Sequence, residues 1–209
     1  MSLFPIFLKL EGRPCLVVGA GAVGEPKIQS LLEAHARVRV IAPEATIRVQ
    51  GWVRSGMITW EQRAFAPADL DGIFLVVAAT SSPEVNESVF IEAQRRGILC
   101  NSVDDPEHCD FFYPAVVRRG DLQVAISTGG SSPALAQRLR AELEQQFGPE
   151  YASWLQDLGT MRQKLFASDL DPEKRRQLLH QLASREAFEA VQSAVHGRVR
   201  DDASVRVRN

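Results

Sequence analysis

The chain is poor in cysteine and histidine, has no long apolar run and shows no dominance of one charge sign. Its three cysteines, Cys15, Cys100 and Cys109, form no close-set pair, which argues against a disulfide framework or a structural zinc site. Cys15 and Cys100 lie in apolar, strand-like runs and are expected to be buried thiols. The four histidines show no metal-ligand spacing with a cysteine or carboxylate cluster, so no metal site is expected. His108-Cys109 is accordingly not read as a ligand or nucleophile pair. The formal net charge is −2, so nothing global points to nucleic acid as a partner. An anionic substrate would have to be met by local arginines. No run of about 18 apolar residues exists, so no membrane span is expected. The apolar start, residues 1–10, has neither a basic leading segment nor a small-residue cleavage site, so no secretory leader is expected and a reducing cytoplasm is the expected location.

The 209 residues are 45% hydrophobic and 24% charged, enough to bury a core. Apolar strand-like runs at 13–18, 36–42, 57–60, 73–79 and 98–103 alternate with helical stretches at 23–34 and 83–96. The run at 73–79 is continuous, as in a strand buried on both faces of a parallel sheet. Ser82 before Pro83 is a helix-start signal and Gly97 a stop. This alternation predicts an α/β fold built from βαβ units, with a Rossmann-type parallel sheet over 1–113. A middle segment at 114–146 follows. It holds two β runs, 113–117 and 122–127, with a turn expected over Arg118–Asp121, then a helix opened by Ser132-Pro133. Residues 147–197 are helical in pattern, one helix ending before Asp171-Pro172 and the next running to about 195, so an α-helical C-terminal domain is expected. Residues 198–209 are charged and unpatterned and are expected to be a flexible tail.

Three motifs carry chemistry. Gly19, Gly21 and Gly24 form a G-x-G-x-x-G run between a strand and a helix. Such glycines allow a tight turn, close approach of a pyrophosphate and close helix–strand packing, with the phosphates at the helix N-terminus. Where the second strand would normally end in an acidic ribose acceptor, the chain has Ala42, then Pro43 and Glu44. No 2′-phosphate cradle is evident, which favours NAD over NADP. Pro26 falls within the first turn of the helix after the glycines. The second motif, Asn101-Ser-Val-Asp104-Asp105-Pro106, ends a strand on the side where open α/β sheets bind ligands. A carboxylate there suits a general base or simply caps a turn. The third, Ser127, Thr128, Gly129, Gly130 and Ser131 before Ser132-Pro133, is both a helix cap and a candidate anion site. Arg118 and Arg119 lie upstream of it and Arg138 and Arg140 downstream.

Taken in order, Phe4-Pro-Ile-Phe, the glycine run with Lys27, Val77-Ala-Ala-Thr80, Cys100-Asn-Ser-Val-Asp104, and Ser127-Thr-Gly-Gly-Ser-Ser-Pro-Ala-Leu-Ala136 with Arg138 resemble the dehydrogenase/ferrochelatase module of siroheme synthase and its free-standing precorrin-2 dehydrogenase relatives. The resemblance covers roughly residues 3–145. It implies NAD-dependent oxidation of precorrin-2 to sirohydrochlorin by a homodimer, with the middle segment and the C-terminal helices at the interface. It places the essential aspartate on Asp104 and NAD contacts on the glycine turn, notably Ala22 and Val23, and on Pro43 and Glu44. Thr80, ending its strand, is assigned to the same contact set. The carboxylate arms of the substrate are expected on Arg118, Arg119, Arg138 and the Ser127–Ser131 turn. The resemblance also admits Fe²⁺ as a second substrate, with Asp104 serving both reactions. Many members have arginine where this chain has Pro26. Two readings stand beside this one: another NAD(P)-dependent oxidoreductase of a small substrate, and a non-catalytic NAD(H)-sensing module.

Overall fold

A computed structural model describes residues 3–194. The chain divides into two compact units, one spanning Leu3–Tyr113 and one beginning at Pro114.

The first unit is a five-stranded parallel sheet of β1 (Pro14–Ala20), β2 (Arg37–Ala45), β3 (Thr59–Glu61), β4 (Leu75–Ala78) and β5 (Leu99–Ser102), in the order β3-β2-β1-β4-β5. Side chains alternate across the sheet, so apolar runs feed two cores. Cys15, Val17, Val38, Val40, Leu75 and Val77 point into one, closed by Ile28 and Leu31 of α1 (Gly24–Glu33) and Val49 of α2 (Ile47–Arg54). Leu16, Val18, Ile41, Val76 and Ala78 point into the other, closed by Val89 and Ala93 of α3 (Pro83–Arg96). Cys15 and Cys100 are buried, as expected.

Helix limits follow local chemistry. Ser82 accepts the Val85 amide, Pro83 fills the first position of α3, and Gly97 closes it at φ 66°. Pro26 is the third residue of α1, where a missing N–H has no intrahelical acceptor to lose. Two features depart from the sequence reading. α2 was not anticipated; its Thr46 cap starts a helix of eight residues, too short to show a clear period. The third strand lies at Thr59–Glu61 rather than 57–60, its register set by pairing with Arg39–Ile41. Buried Asp69 anchors the loop before β4: it accepts Arg63 Nη1 at 2.8 Å and the Ala66 amide at 2.8 Å. Arg63 holds its carboxyl below the usual range.

The second unit opens with an antiparallel hairpin, β6 (Ala115–Arg119) and β7 (Leu122–Ile126). Arg118 and Arg119 are therefore strand residues, and the turn is confined to Gly120-Asp121, with Gly120 in the left-handed region at φ 57°. α4 (Pro133–Gln146) starts as expected, with Ser132 accepting the Leu135 amide. α5 (Glu150–Phe166) and α6 (Pro172–Leu182) follow. The chain then breaks at 183–184 and is helical again over 185–194, where a continuous helix was expected; Ser184 recaps it by accepting the Ala187 amide. Tyr151, Trp154 and Phe188 pack ring to ring across this break, 4.5–5.7 Å between centroids. The expected tail at 198–209 lies outside the described residues. Among the described residues no helix is long and apolar enough to cross a membrane.

Candidate active site

In the first unit, the carboxyl ends of β1, β2, β4 and β5 carry the sequence-predicted groups. Each glycine of the turn after β1 has a separate physical reason. At Gly19 (φ 100°) an added Cβ would meet the Ala79 carbonyl oxygen at 2.3 Å, and at Gly24 the Gly19 carbonyl oxygen at 2.3 Å. Both are demanded by the fold. At Gly21 a Cβ would meet nothing within 4 Å, so that glycine leaves open space above the backbone. No side chain caps α1, and Ala22 and Val23 are exposed at its mouth. Open space beside an uncapped helix N-terminus fits a pyrophosphate.

Beside this turn, Ala45 of β2 pairs with Ala20, which places Pro43 and Glu44 at the same carboxyl edge of the sheet. Both are exposed, and the Glu44 carboxylate makes no hydrogen bond or ion pair among the described residues. Ala42 is buried, and its carbonyl accepts the Trp60 indole N–H at 2.9 Å. Thr80, just past the end of β4, is tied to α3. Its hydroxyl donates to Asn86 Oδ1 at 2.8 Å, and its amide donates to the same oxygen at 3.1 Å. Buried Asn86 thereby shapes the loop after β4. Its signal in the sequence was a lone amide on the apolar face of α3, and it was overlooked.

The segment after β5 is a folded-back loop. Buried Asn101 donates to the Phe111 carbonyl at 2.8 Å and to Cys109 Sγ at 3.2 Å, and Asp110 accepts the Cys100 amide at 2.9 Å. Asp104 stands at the exposed tip in the left-handed conformation, φ 62°, with no hydrogen bond or ion pair among the described residues. Aspartate tolerates that region better than most side chains. Asp105 does not cap its turn; its carboxylate meets His108 Nδ1 at 2.6 Å, and the imidazole packs on Phe90 with centroids 4.6 Å apart. Burial pushes the Cys109 thiol up. Among the described residues, no grouping of three or more His, Cys, Asp or Glu could hold a metal ion.

In the second unit, Ser127 Oγ accepts the Gly129 amide and Thr128 Oγ1 the Ser132 amide, each at 3.2 Å. Gly129 and Gly130 have φ of 60° and 84° and are exposed, as are Ser127 and Ser131. The arginines do not converge on this turn. Ala115 pairs with Ile126 and Arg118 with Gln123, so Arg118 lies four residues, roughly 13 Å, along the hairpin from Ser127. Arg119 is spent on its own unit, donating to the Phe147 carbonyl at 2.7 Å and the Glu144 carbonyl at 3.0 Å. Exposed Arg138 is on α4 itself, loosely paired with Glu142 at 3.6 Å.

The profile of the NAD(P)-binding family matches residues 6–115, more than half of the chain. The chain belongs to this family. A second profile, that of the sirohaem biosynthesis protein central segment, matches residues 119–146. Siroheme synthase 1 of Aeromonas hydrophila is 41% identical over 187 residues, which is 89% of this chain and 40% of that protein. Siroheme synthase of Photorhabdus laumondii is 45% identical over 144 residues, 69% of this chain and 31% of that protein. The chain thus spans well under half the length of these relatives. Among solved structures, SirC, a precorrin-2 dehydrogenase, superposes with a TM-score of 0.77 at 26% identity, covering 88% of this chain and 91% of SirC. The family and the five-stranded parallel sheet agree with the α/β, Rossmann-type reading of the sequence.

Proposed function

We propose that this chain oxidises precorrin-2 to sirohydrochlorin with NAD⁺ in siroheme biosynthesis. The observation that carries the reading is the unpartnered Asp104 carboxylate, held left-handed at the carboxyl edge of an NAD(P)-binding sheet, in a chain similar to SirC over nearly its whole length. Bound NAD⁺ would supply the hydride acceptor. The chain's own contribution is to hold and deprotonate. The Gly21 opening and the first amides of α1 would seat the pyrophosphate, with Ala22 and Val23 flanking it. The free Glu44 carboxylate suits ribose hydroxyls and would repel a 2′-phosphate, which favours NAD over NADP. As a hydride leaves one carbon of the macrocycle, Asp104 takes the proton released from the ring system, which balances the oxidation. The exposed Ser127–Ser131 turn, with Arg138 and Arg118, would bind carboxylate arms. Arg119 drops out of that set because its guanidinium holds backbone carbonyls.

The same carboxylate could accept pyrrole protons during insertion of Fe²⁺, which enters the reading as a second substrate. The middle segment, 114–146, and the C-terminal helices are assigned to the interface of a homodimer, and the reducing cytoplasm to its location. The test is anaerobic turnover of enzymatically generated precorrin-2, read by the sirohydrochlorin spectrum, with NAD⁺ or NADP⁺, then with Fe²⁺ added. Sirohydrochlorin formed faster with NAD⁺ than with NADP⁺ is the expected result. A folded protein that binds NAD⁺ and leaves precorrin-2 unchanged would refute the reading and favour the small-substrate or sensing alternatives.

A further inference from the structure

Lys27 is a half-buried lysine that makes no ion pair among the described residues. It sits one turn into α1, on the helix that follows the glycine-rich turn. Its ammonium is fixed 3.8 Å from the centroid of the Tyr113 ring. Tyr113 is itself anchored: it packs against the core beneath β1 and lies 5.7 Å from Phe111, centroid to centroid. Burial lowers the Lys27 pKa, and the field of Asp104 opposes that fall, so the two side chains share one electrostatic environment. A desolvated cation without a counter-charge is costly, and an aromatic face recovers only part of its hydration.

We propose that Lys27 binds a carboxylate arm of the tetrapyrrole and so sets the macrocycle against Asp104. The inference rests on the function proposed above and adds a substrate-binding residue to the first unit. Tyr113 acts as the stop that keeps the ammonium from folding back along its helix. The competing account is packing alone, in which the lysine stem merely covers the tyrosine ring.

Lys27→Met keeps the stem on Tyr113 and removes the charge, and Lys27→Arg restores a charge. Equilibrium binding of sirohydrochlorin, read by its absorption, and of NAD⁺, read by calorimetry, is measured on wild type and both variants, with thermal melts alongside. Loss of one charge-assisted contact should weaken sirohydrochlorin binding by Lys27→Met about ten- to a hundredfold. NAD⁺ affinity should stay within about twofold and the melting temperature should be unchanged. Lys27→Arg should recover part of the loss. Unchanged sirohydrochlorin binding by Lys27→Met overturns the inference and leaves packing. Weakened NAD⁺ binding with intact sirohydrochlorin binding overturns it too, and moves Lys27 to a cofactor phosphate. A wild-type protein that binds no tetrapyrrole overturns the proposed function together with the inference, and is distinguished from the first two results by that control.

Discussion

The glycine turn allows stability and cofactor binding to be separated by single methyl groups. Gly24→Ala would push a Cβ to 2.3 Å from the Gly19 carbonyl oxygen, a backbone atom that cannot rotate away. Relieving it means moving α1 off the sheet, an overpacking cost of about 3 kcal/mol. For a chain of this size that corresponds to a fall of roughly 6–12 °C in melting temperature. Gly21→Ala places its Cβ in open space, and the backbone there is outside the left-handed region. Its stability should change by no more than about 1 kcal/mol, toward stabilisation, because alanine restricts the unfolded chain. The same methyl occupies the approach path of a pyrophosphate, so NAD⁺ affinity should fall at least about tenfold. Differential scanning fluorimetry and calorimetric NAD⁺ titration on the two variants test both halves. If Gly21→Ala bound NAD⁺ as wild type does, the pyrophosphate would not lie over that turn. If Gly24→Ala melted with wild type, close helix–strand contact would not be the reason for that glycine.

Two more outcomes follow from the geometry. Asp104→Asn keeps a side chain that tolerates φ 62° and removes the base, so precorrin-2 turnover should drop about 10²–10⁴-fold while chemical denaturation stays within about 0.5 kcal/mol of wild type; an Asn variant with full turnover would end the role of Asp104. Arg63 holds the folded-state pKa of Asp69 below its ordinary 3.8, so the pair adds stability that is fully present above 3.8 and is lost as pH falls through the lower folded value. Asp69→Asn should therefore cost on the order of 3 kcal/mol in urea denaturation at pH 7, and the gap should narrow once the pH drops below 3.8; a gap independent of pH would show that shape, not charge, is what Asp69 contributes.

Local signals in the sequence read well wherever one or two neighbours decide the outcome. The limits of α3 are the case in point, because Ser82, Pro83 and Gly97 act on backbone within a few residues of themselves. α2 and the break at 183–184 were not legible, since a short helix is settled by its cap and by what it covers. The bond from the Thr80 hydroxyl to Asn86, six residues on and on another element, has no local signal either. Asn101 and Cys109 stood out in the sequence for other reasons, and only their bond to each other, with that of Asp110 to the Cys100 amide, shows that they build the loop presenting Asp104.

The sequence by itself determined the parallel α/β architecture, because continuous apolar runs can be buried only between two helical layers. It also determined the glycine turn, whose spacing is a property of backbone sterics. Tertiary structure decided which polar groups remain available. It tied Arg119 to carbonyls and Glu25 to Thr46, and left Glu44, Asp104 and Lys27 without ion-pair partners among the described residues. Hydrogen bonds and ion pairs join residues far apart in the chain, so which charges are spent and which stay free is fixed only when the fold brings their partners together.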